Sequence, residues 1–150
     1  MKKIVIAALA VLTILGVSLA YFVLQPPNTV QITFAGVNLN VELATTPSQQ
    51  EKGLSDRDSM PLDHGMLFIF SSQGYWGFWM HGMRFPLDII WFNSNRQVVW
   101  IEPNLPPCNP TNCYEVTPET RSMYVLEVNA GFVTAHHIKL GTTFILLDKS

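Results

Sequence analysis

Charged side chains are scarce in this sequence. Lysine, arginine, aspartate and glutamate make up 13% of its 150 residues. After Lys2 and Lys3 the chain carries seven basic and eleven acidic residues, a net charge of −4, and the basic residues form no cluster. Because nucleic acids and anionic surfaces are bound through clustered basic residues, we expect no nucleic-acid partner.

Cysteine is also rare, with only Cys108 and Cys113 in the proline- and asparagine-rich stretch NLPPCNPTNCYEV. A structural zinc site needs further ligands, and this stretch contains no histidine. Two cysteines this close together are most simply a disulfide, which forms in oxidising compartments. Closing so short a loop contributes about 2 kcal/mol. The pair therefore favours a disulfide and an exported protein.

The usual motifs of catalysis and cofactor binding are missing. The sequence has no glycine-rich phosphate loop, no serine nucleophile elbow and no lone reactive cysteine. The sequence therefore indicates no nucleophile and no cofactor, and we expect a binding protein more than an enzyme.

One long apolar run is present, from Ile4 to Leu24. At about 1.5 Å per helical residue it spans about 30 Å, the thickness of the hydrocarbon core of a bilayer. We expect residues 1–25 to be a single-pass membrane anchor, with Lys2 and Lys3 in the cytoplasm, and residues 26–29 to be a short linker. The alternative is a signal segment cleaved near Ala20, which would release the protein outside the membrane.

Residues 30–150 have the pattern of a mostly β domain. Apolar and polar residues alternate in short segments, which we assign as a hairpin over 30–43 and as strands near 66–70, 77–81, 86–92, 96–101, 122–129 and 142–148. Thr46, Pro47, Gln49 and Gly53 mark a short helix with a capping box. A second brief helix follows Asn129, its expected cap. We predict a compact β-sandwich or barrel-like domain with two short helices.

The order of motifs resembles a known family. These motifs are Glu51-x-Gly53-Leu54 with Arg57, Gly65-Met66-Leu67-Phe68-x-Phe70, Phe78-Trp79-Met80, Pro86-Leu87-Asp88-Ile89, Pro107-Cys108 to Cys113-Tyr114, and Tyr124 to Gly131. Over residues 30 to 148 they are similar to domain of unknown function family 192, a group of small, often exported bacterial and archaeal proteins. The resemblance implies a mostly β fold and no particular reaction. The family usually has lysine, asparagine and threonine where this chain has His81, Gly82 and Met83.

Two acidic residues stand in apolar strands, Asp88 and Glu127. A carboxylate that loses its hydration needs a partner. One interpretation is that each acid orders the sheet through backbone donors or an arginine. The other is a polar pocket formed by Asp88, Glu127 and Arg57, with Glu51 at the helix end. An acid/base pair of Asp88 and Glu127 would make the protein an envelope hydrolase.

The stretch GYWGFWMHGM, residues 74–83, offers two further candidate sites. Tyr75, Trp76 and Trp79 can form an aromatic edge for a sugar or peptide, although a core position is expected for Trp79. A copper site at His81 and Met83 is a minor alternative, because methionine among aromatic residues is usually core filling and strand alternation separates His81 from Met80. We expect no metal.

The combined hypothesis is a membrane-tethered extracytoplasmic module of the cell envelope, held in the membrane through residues 4–24. It binds an envelope glycan or peptide through the pocket or the aromatic edge.

Overall fold

A computed structural model describes residues 29–109 and 111–147 of the chain. The predicted anchor over residues 1–25, the cleavage site near Ala20 and most of the linker lie outside these residues. Within the two described ranges, no helix combines the length and the apolar character needed to cross a membrane.

The described residues form seven strands and two short helices. In chain order they are β1 (Thr29–Phe34), β2 (Val37–Ala44), α1 (Pro47–Lys52), β3 (His64–Gly74), β4 (Leu87–Phe92), β5 (Val98–Leu105), β6 (Ser122–Asn129), α2 (Phe132–Ala135) and β7 (Phe144–Leu147). The prediction of a mostly β domain with two short helices is confirmed.

All seven strands belong to one sheet in the order β5-β4-β6-β3-β2-β1-β7. Every pairing is antiparallel except that of β2 with β3, which is parallel and is connected through α1. The edge strands approach each other at one end, where Gln97 forms an isolated bridge with Thr143. The expectation of a sandwich or barrel-like domain is therefore met only in part: the seven strands form one sheet, and this sheet is not a closed barrel.

Each face of the sheet carries its own hydrophobic core. One contains Phe34, Ile90, Phe92, Leu126 and Val128, with Phe132 of α2 and Phe144 packed against them. The other contains Phe68, Ile89, Trp91 and Val125, covered by Leu54, Met80 and Met83 from loops. Strand β4 is buried along its whole length because both faces are covered.

Helix α1 forms where the sequence predicts it. The hydroxyl of Thr46 accepts a hydrogen bond from the Gln49 amide, and the Gln49 side chain accepts one from the Thr46 amide, which completes the capping box. The side-chain amide of Gln50 donates to Ala44 O at 3.3 Å and to Ile69 O at 3.0 Å. These bonds attach α1 to the sheet and fix its position over the second core.

Residues 77–81 are not a strand, contrary to the sequence prediction. They belong to an irregular loop that has one bridge, between Phe78 and Val116. The loop turns at Gly82, which has a φ of 74°. A carbonyl at its start, Trp76 O, accepts a hydrogen bond of 2.8 Å from the indole of Trp91. The apolar residues of this loop cover the second face of the sheet instead of extending it.

The disulfide between Cys108 and Cys113 is present, with 5.0 Å between the two Cα atoms. It closes the loop that follows β5, as the sequence predicts.

Candidate functional site

Asp88 is fully buried and its carboxylate is bound by backbone amides. Oδ1 accepts hydrogen bonds from Asn104 N at 2.8 Å and from Gly131 N at 3.2 Å, and Oδ2 accepts one from Val133 N at 2.7 Å. Asp88 therefore caps the first turn of α2 and attaches β5 to it. Asn129, the expected cap, instead donates from its side chain to Met60 O at 3.1 Å and Pro61 O at 3.0 Å.

Asp88 and Glu127 lie on opposite faces of the sheet. In the antiparallel pair of β4 and β6, Asp88 is opposite Val128 and Ile89 is opposite Glu127. Because side chains alternate between faces, Asp88 shares a face with Val128, while Glu127 shares the other with Ile89. The structure therefore does not bring the two acids into one pocket. The prediction of a pocket that contains both Asp88 and Glu127 is therefore wrong.

Glu127 differs from Asp88 in having no donor. Its side chain is only 4% exposed, and Oε2 is buried with no hydrogen-bond partner among the described residues. Burial raises the pKa of Glu127 to about 8, and the positive charge of Arg57 opposes this rise. At neutral pH the carboxyl group is therefore mostly protonated.

Arg57 is engaged by another carboxylate. Its two terminal nitrogens donate to the two oxygens of Glu42, at 2.5 and 2.8 Å. This bond raises the pKa of Arg57. Glu42 and Glu127 lie in the same row across the sheet, one on each side of Met66. Arg57 therefore acts on Glu127 through its charge and leaves the carboxyl group without a hydrogen bond.

Glu127 lines a cavity of about 140 Å³ between the sheet, α1 and the 75–86 loop. Half of its lining residues are aromatic or large and apolar: Leu54, Phe68, Phe70, Trp76, Phe78, Trp79 and Met83. The other half comprises Glu127, Gly77 and a stretch in and just after α1, which contains Gln50, Glu51, Lys52, Gly53 and Ser55. Of the predicted pocket residues, Glu127 and Glu51 thus lie together, Arg57 lies nearby, and Asp88 lies elsewhere. The cavity can surround a group larger than a water molecule and offers it one buried carboxyl group.

The predicted aromatic edge divides into three environments. Trp76 stacks on Phe70 at 4.0 Å between ring centroids, and its indole donates to Ser122 O at 3.1 Å. Tyr75 is 58% exposed, and the Arg121 guanidinium lies 5.9 Å from its ring centroid. Trp79 is 54% exposed, so the expectation that it is a core residue is wrong.

Trp79 stands between the cavity and a wider groove of about 730 Å³. The groove is lined by Glu51, Lys52, Asp56, His81 and neighbouring small residues. The cavity and the groove share Glu51, Lys52, Ser55 and Trp79 as lining residues, so they lie side by side at the exposed indole ring of Trp79.

The minor copper hypothesis has little geometric support. Met80 and Met83 are buried in the second core, whereas His81 is exposed beside the Trp79 ring, 6.1 Å away between centroids. Within the described ranges, no group of three or more histidine, cysteine or acidic side chains is arranged to hold a metal ion.

Gly53 and Phe70 also belong to the site, although the sequence did not indicate this. Gly53 has a φ of 49° and a ψ of −138°, a conformation that favours glycine, and a Cβ at this position would be 3.9 Å from Oε2 of Glu127. Phe70 provides the ring under Trp76. The sequence feature that could have indicated these two residues is the pair of motifs that contain them, Glu51-x-Gly53 and Phe68-x-Phe70.

Comparison with known proteins identifies the family. The DUF192 model, described as uncharacterized ACR, matches residues 30–146. A crystal structure of a protein of unknown function from Novosphingobium aromaticivorans DSM 12444 is 28% identical, with a TM-score of 0.73 over 81% of this chain and 88% of that one. A second, from Sinorhizobium meliloti 1021 and provisionally described as a transcription regulator, is 33% identical, with a TM-score of 0.71 over 79% and 92%. No curated protein matches the chain. The chain belongs to DUF192, the family that its sequence motifs predicted.

Proposed function

We propose that the protein is a membrane-tethered extracytoplasmic module of the cell envelope that binds a small polar group of an envelope glycan or peptide in the Glu127 cavity. The observation that carries this proposal is the Glu127 side chain, which lines the cavity and whose Oε2 is buried with no hydrogen-bond partner among the described residues. Leaving a buried carboxyl group without a partner costs stability, and such groups occur preferentially at functional sites.

The lining of the cavity supports binding of a ligand. Ligand sites are mostly apolar and contain few polar groups, which fix the orientation of the ligand. Here aromatic side chains surround one carboxyl group, and the exposed ring of Trp79 offers a flat surface at the entrance.

The proposed location depends on other features. The apolar run from Ile4 to Leu24 has the length of a membrane span, and two lysines precede it. The disulfide between Cys108 and Cys113 suits an oxidising compartment.

The positions of Asp88 and Glu127 argue against the alternative hypothesis of an envelope hydrolase. A glycoside hydrolase of the common type places two carboxyl groups on the two sides of one bond. Asp88 and Glu127 are on opposite faces of the sheet, and Asp88 is saturated by backbone donors. The geometry favours binding over this reaction.

A ligand screen with a local probe tests the binding proposal. The full chain, in mild detergent, is labelled with 5-fluorotryptophan and titrated with soluble glycan fragments, short peptides and small amines. We expect a ligand to shift the ¹⁹F signals of Trp76 and Trp79, and we expect Glu127→Gln to abolish the shift. Glu119→Gln changes an exposed acid before β6 and serves as the matched control. Binding that leaves these two signals unchanged, or that Glu127→Gln does not affect, contradicts the proposal.

A separate measurement tests the location. In intact cells of a bacterial host, Cys108 and Cys113 should resist an alkylating reagent until a reductant is added, and a protease added outside the cytoplasmic membrane should cleave the domain. Free thiols, or a domain that such a protease cannot reach, would contradict an extracytoplasmic position.

A further inference from the structure

We propose that the Glu127 cavity recognises a protonated primary amine at the end of an unbranched alkyl chain, as in a lysine-type side chain of a peptide. This inference rests on the proposed function, because it names the chemical class of the group that enters the same cavity.

The charges around the cavity favour a cation. Glu127 lies inside it, and Glu51 lies on its wall next to Lys52. Glu42 and Asp56 stand on its outer side, in the neighbouring pockets. Four acids therefore face two basic residues, Lys52 and Arg57, so that once Glu127 is ionised the surroundings carry an excess of negative charge, which an ammonium group reduces.

Neither of these two basic residues donates a hydrogen bond to Glu127, although the charge of Arg57 acts on it. Lys52 is paired with Asp56 outside the cavity, and both side chains are largely exposed. Arg57 is held by both oxygens of Glu42. The Glu127 carboxyl group, which lines the cavity, thus receives no hydrogen bond from either basic residue, and its Oε2 has no partner among the described residues.

A metal ion fits the cavity less well than an organic cation. Calcium and magnesium take six or more oxygen ligands, whereas Glu127 is the one acid buried in this cavity. The described residues also contain no cluster of metal ligands. Aromatic rings, in contrast, attract organic cations through their electron-rich faces, and five rings line this site: Phe68, Phe70, Trp76, Phe78 and Trp79.

The apolar wall favours an alkyl chain over a sugar ring. Methylene groups can pack against Phe70 and Phe78 without loss of hydrogen bonds. The hydroxyl groups of an amino sugar would lose hydration against this aromatic part of the wall, because the polar lining residues other than Glu127 lie in and just after α1. The alkyl chain then passes Trp79 to reach the groove.

Binding of the amine displaces one proton. The ammonium group keeps its three protons and donates to the carboxylate of Glu127, which changes from carboxylic acid to carboxylate. The proton of Glu127 passes to solvent. Since the pKa of Glu127 is about 8 and that of an alkylamine is about 10.4, the apparent affinity should rise by about 50-fold between pH 6 and pH 8.

The test uses the full chain in detergent, with n-butylammonium chloride as the probe and 1-butanol as its uncharged counterpart. Calorimetry in two buffers with different ionisation enthalpies should show release of close to one proton per bound amine at pH 6. We expect n-butylammonium to bind at least tenfold more tightly than 1-butanol at pH 8, and we expect Glu127→Gln to remove this preference. The His81→Ala variant should keep the pH profile, which would exclude the groove histidine as its source. The wild-type pH profile also tests the inference without any variant.

The outcomes separate the inference from the proposed function. Equal binding of 1-butanol and n-butylammonium, lost in Glu127→Gln, would overturn the ammonium assignment and leave the cavity as a ligand site. Failure of every small probe to shift the signals of Trp76 and Trp79 would overturn the proposed function itself. Nα-acetyl-lysine amide should bind more tightly than glucosamine, and the reverse order would overturn the assignment of an alkyl chain.

Discussion

Asp88 and Glu127 occupy neighbouring strands of one sheet and project from its opposite faces. Both side chains are buried, yet three backbone amides donate to Asp88, whereas Oε2 of Glu127 has no donor among the described residues. One acid therefore stabilises the fold, and the other is available for a ligand. This difference leads to distinct predictions for the two residues.

Replacing Asp88 with asparagine should destabilise the protein. The amide oxygen can replace Oδ1, but the amide nitrogen then faces the N–H of Val133, which loses its acceptor. We expect a loss of about 2 kcal/mol in the free energy of unfolding and a fall of several degrees in Tm. Urea denaturation followed by circular dichroism measures the change.

The matched control for this variant is Asp58→Asn, which changes an exposed acid paired with Arg84. Its effect should be smaller than about 1 kcal/mol, since pairs on the surface contribute little. Equal effects of the two variants would contradict the structural role of Asp88.

The stability of the protein should fall as the pH rises from about 4.5 to about 8. The pKa of Glu127 rises from 4.5 to about 8 on folding, because burial disfavours the charged form. The folded state therefore binds the proton more tightly than the unfolded state. Protonated Glu127 contributes on the order of 5 kcal/mol to the free energy of unfolding. This contribution is complete below pH 4.5 and is lost as the pH rises through about 8.

Glu127→Gln isolates this contribution. Glutamine has nearly the same shape and does not titrate, so the variant should lack this component of the pH dependence. The free energy of unfolding of the variant, minus that of the wild type, should therefore increase between pH 5 and pH 9 in urea denaturation. Parallel curves for the two proteins would show that Glu127 does not titrate in this range.

Trp76 and Trp79 should respond differently to alanine. Trp76 stacks on Phe70 and donates to a backbone carbonyl, so Trp76→Ala should cost about 2 to 3 kcal/mol. Trp79 is 54% exposed, so Trp79→Ala should cost less than about 1 kcal/mol and should weaken n-butylammonium binding. Thermal unfolding and calorimetry on both variants measure the two effects. Large destabilisation by Trp79→Ala would place that ring in the core.

Gly65 should not tolerate a side chain. It lies in β3 opposite Val128, and a Cβ atom there would come within 2.7 Å of the backbone oxygen of Glu127. Gly65→Ala should therefore separate β3 from β6 and cost about 2 to 3 kcal/mol. In Gly36→Ala the new Cβ meets no atom within 4 Å, and only the φ of 79° opposes it, at a cost of about 1 kcal/mol. A smaller loss for Gly65→Ala than for Gly36→Ala, in urea denaturation, would contradict this close approach.

The elements that the sequence predicted correctly depend on neighbouring residues. The capping box of α1 involves Thr46 and Gln49, only three positions apart. The disulfide joins cysteines separated by five positions. Alternation within β6 likewise places Val125 and Glu127 on one face. In each case the information lies within one segment.

The failures involve relationships between distant segments. The alternation of side chains along each strand does not tell whether Asp88 and Glu127 share a face of the sheet. That depends on the pairing register of β4 with β6, and a shift of this register by one residue would put the two acids on the same face. The cap that Asp88 provides for α2 joins residues 43 and 45 positions apart. The segment 77–81 has the apolar content of a strand, but its methionine packs onto the sheet from a loop. Contacts between distant segments determine the faces of the two acids, the cap of α2 and the conformation of residues 77–81.

Arg57 and Glu42 together should control the pKa of Glu127. In Arg57→Gln the opposing positive charge is lost, so the pKa of Glu127 should rise above 8. In Glu42→Gln the arginine loses its bidentate partner and becomes available to Glu127, so the same pKa should fall. Titration of the ¹³C-labelled carboxyl group of Glu127 by NMR measures both shifts. Arg84→Gln, which removes an exposed arginine, should leave the titration unchanged. Shifts of the same sign in Arg57→Gln and Glu42→Gln would contradict the electrostatic link.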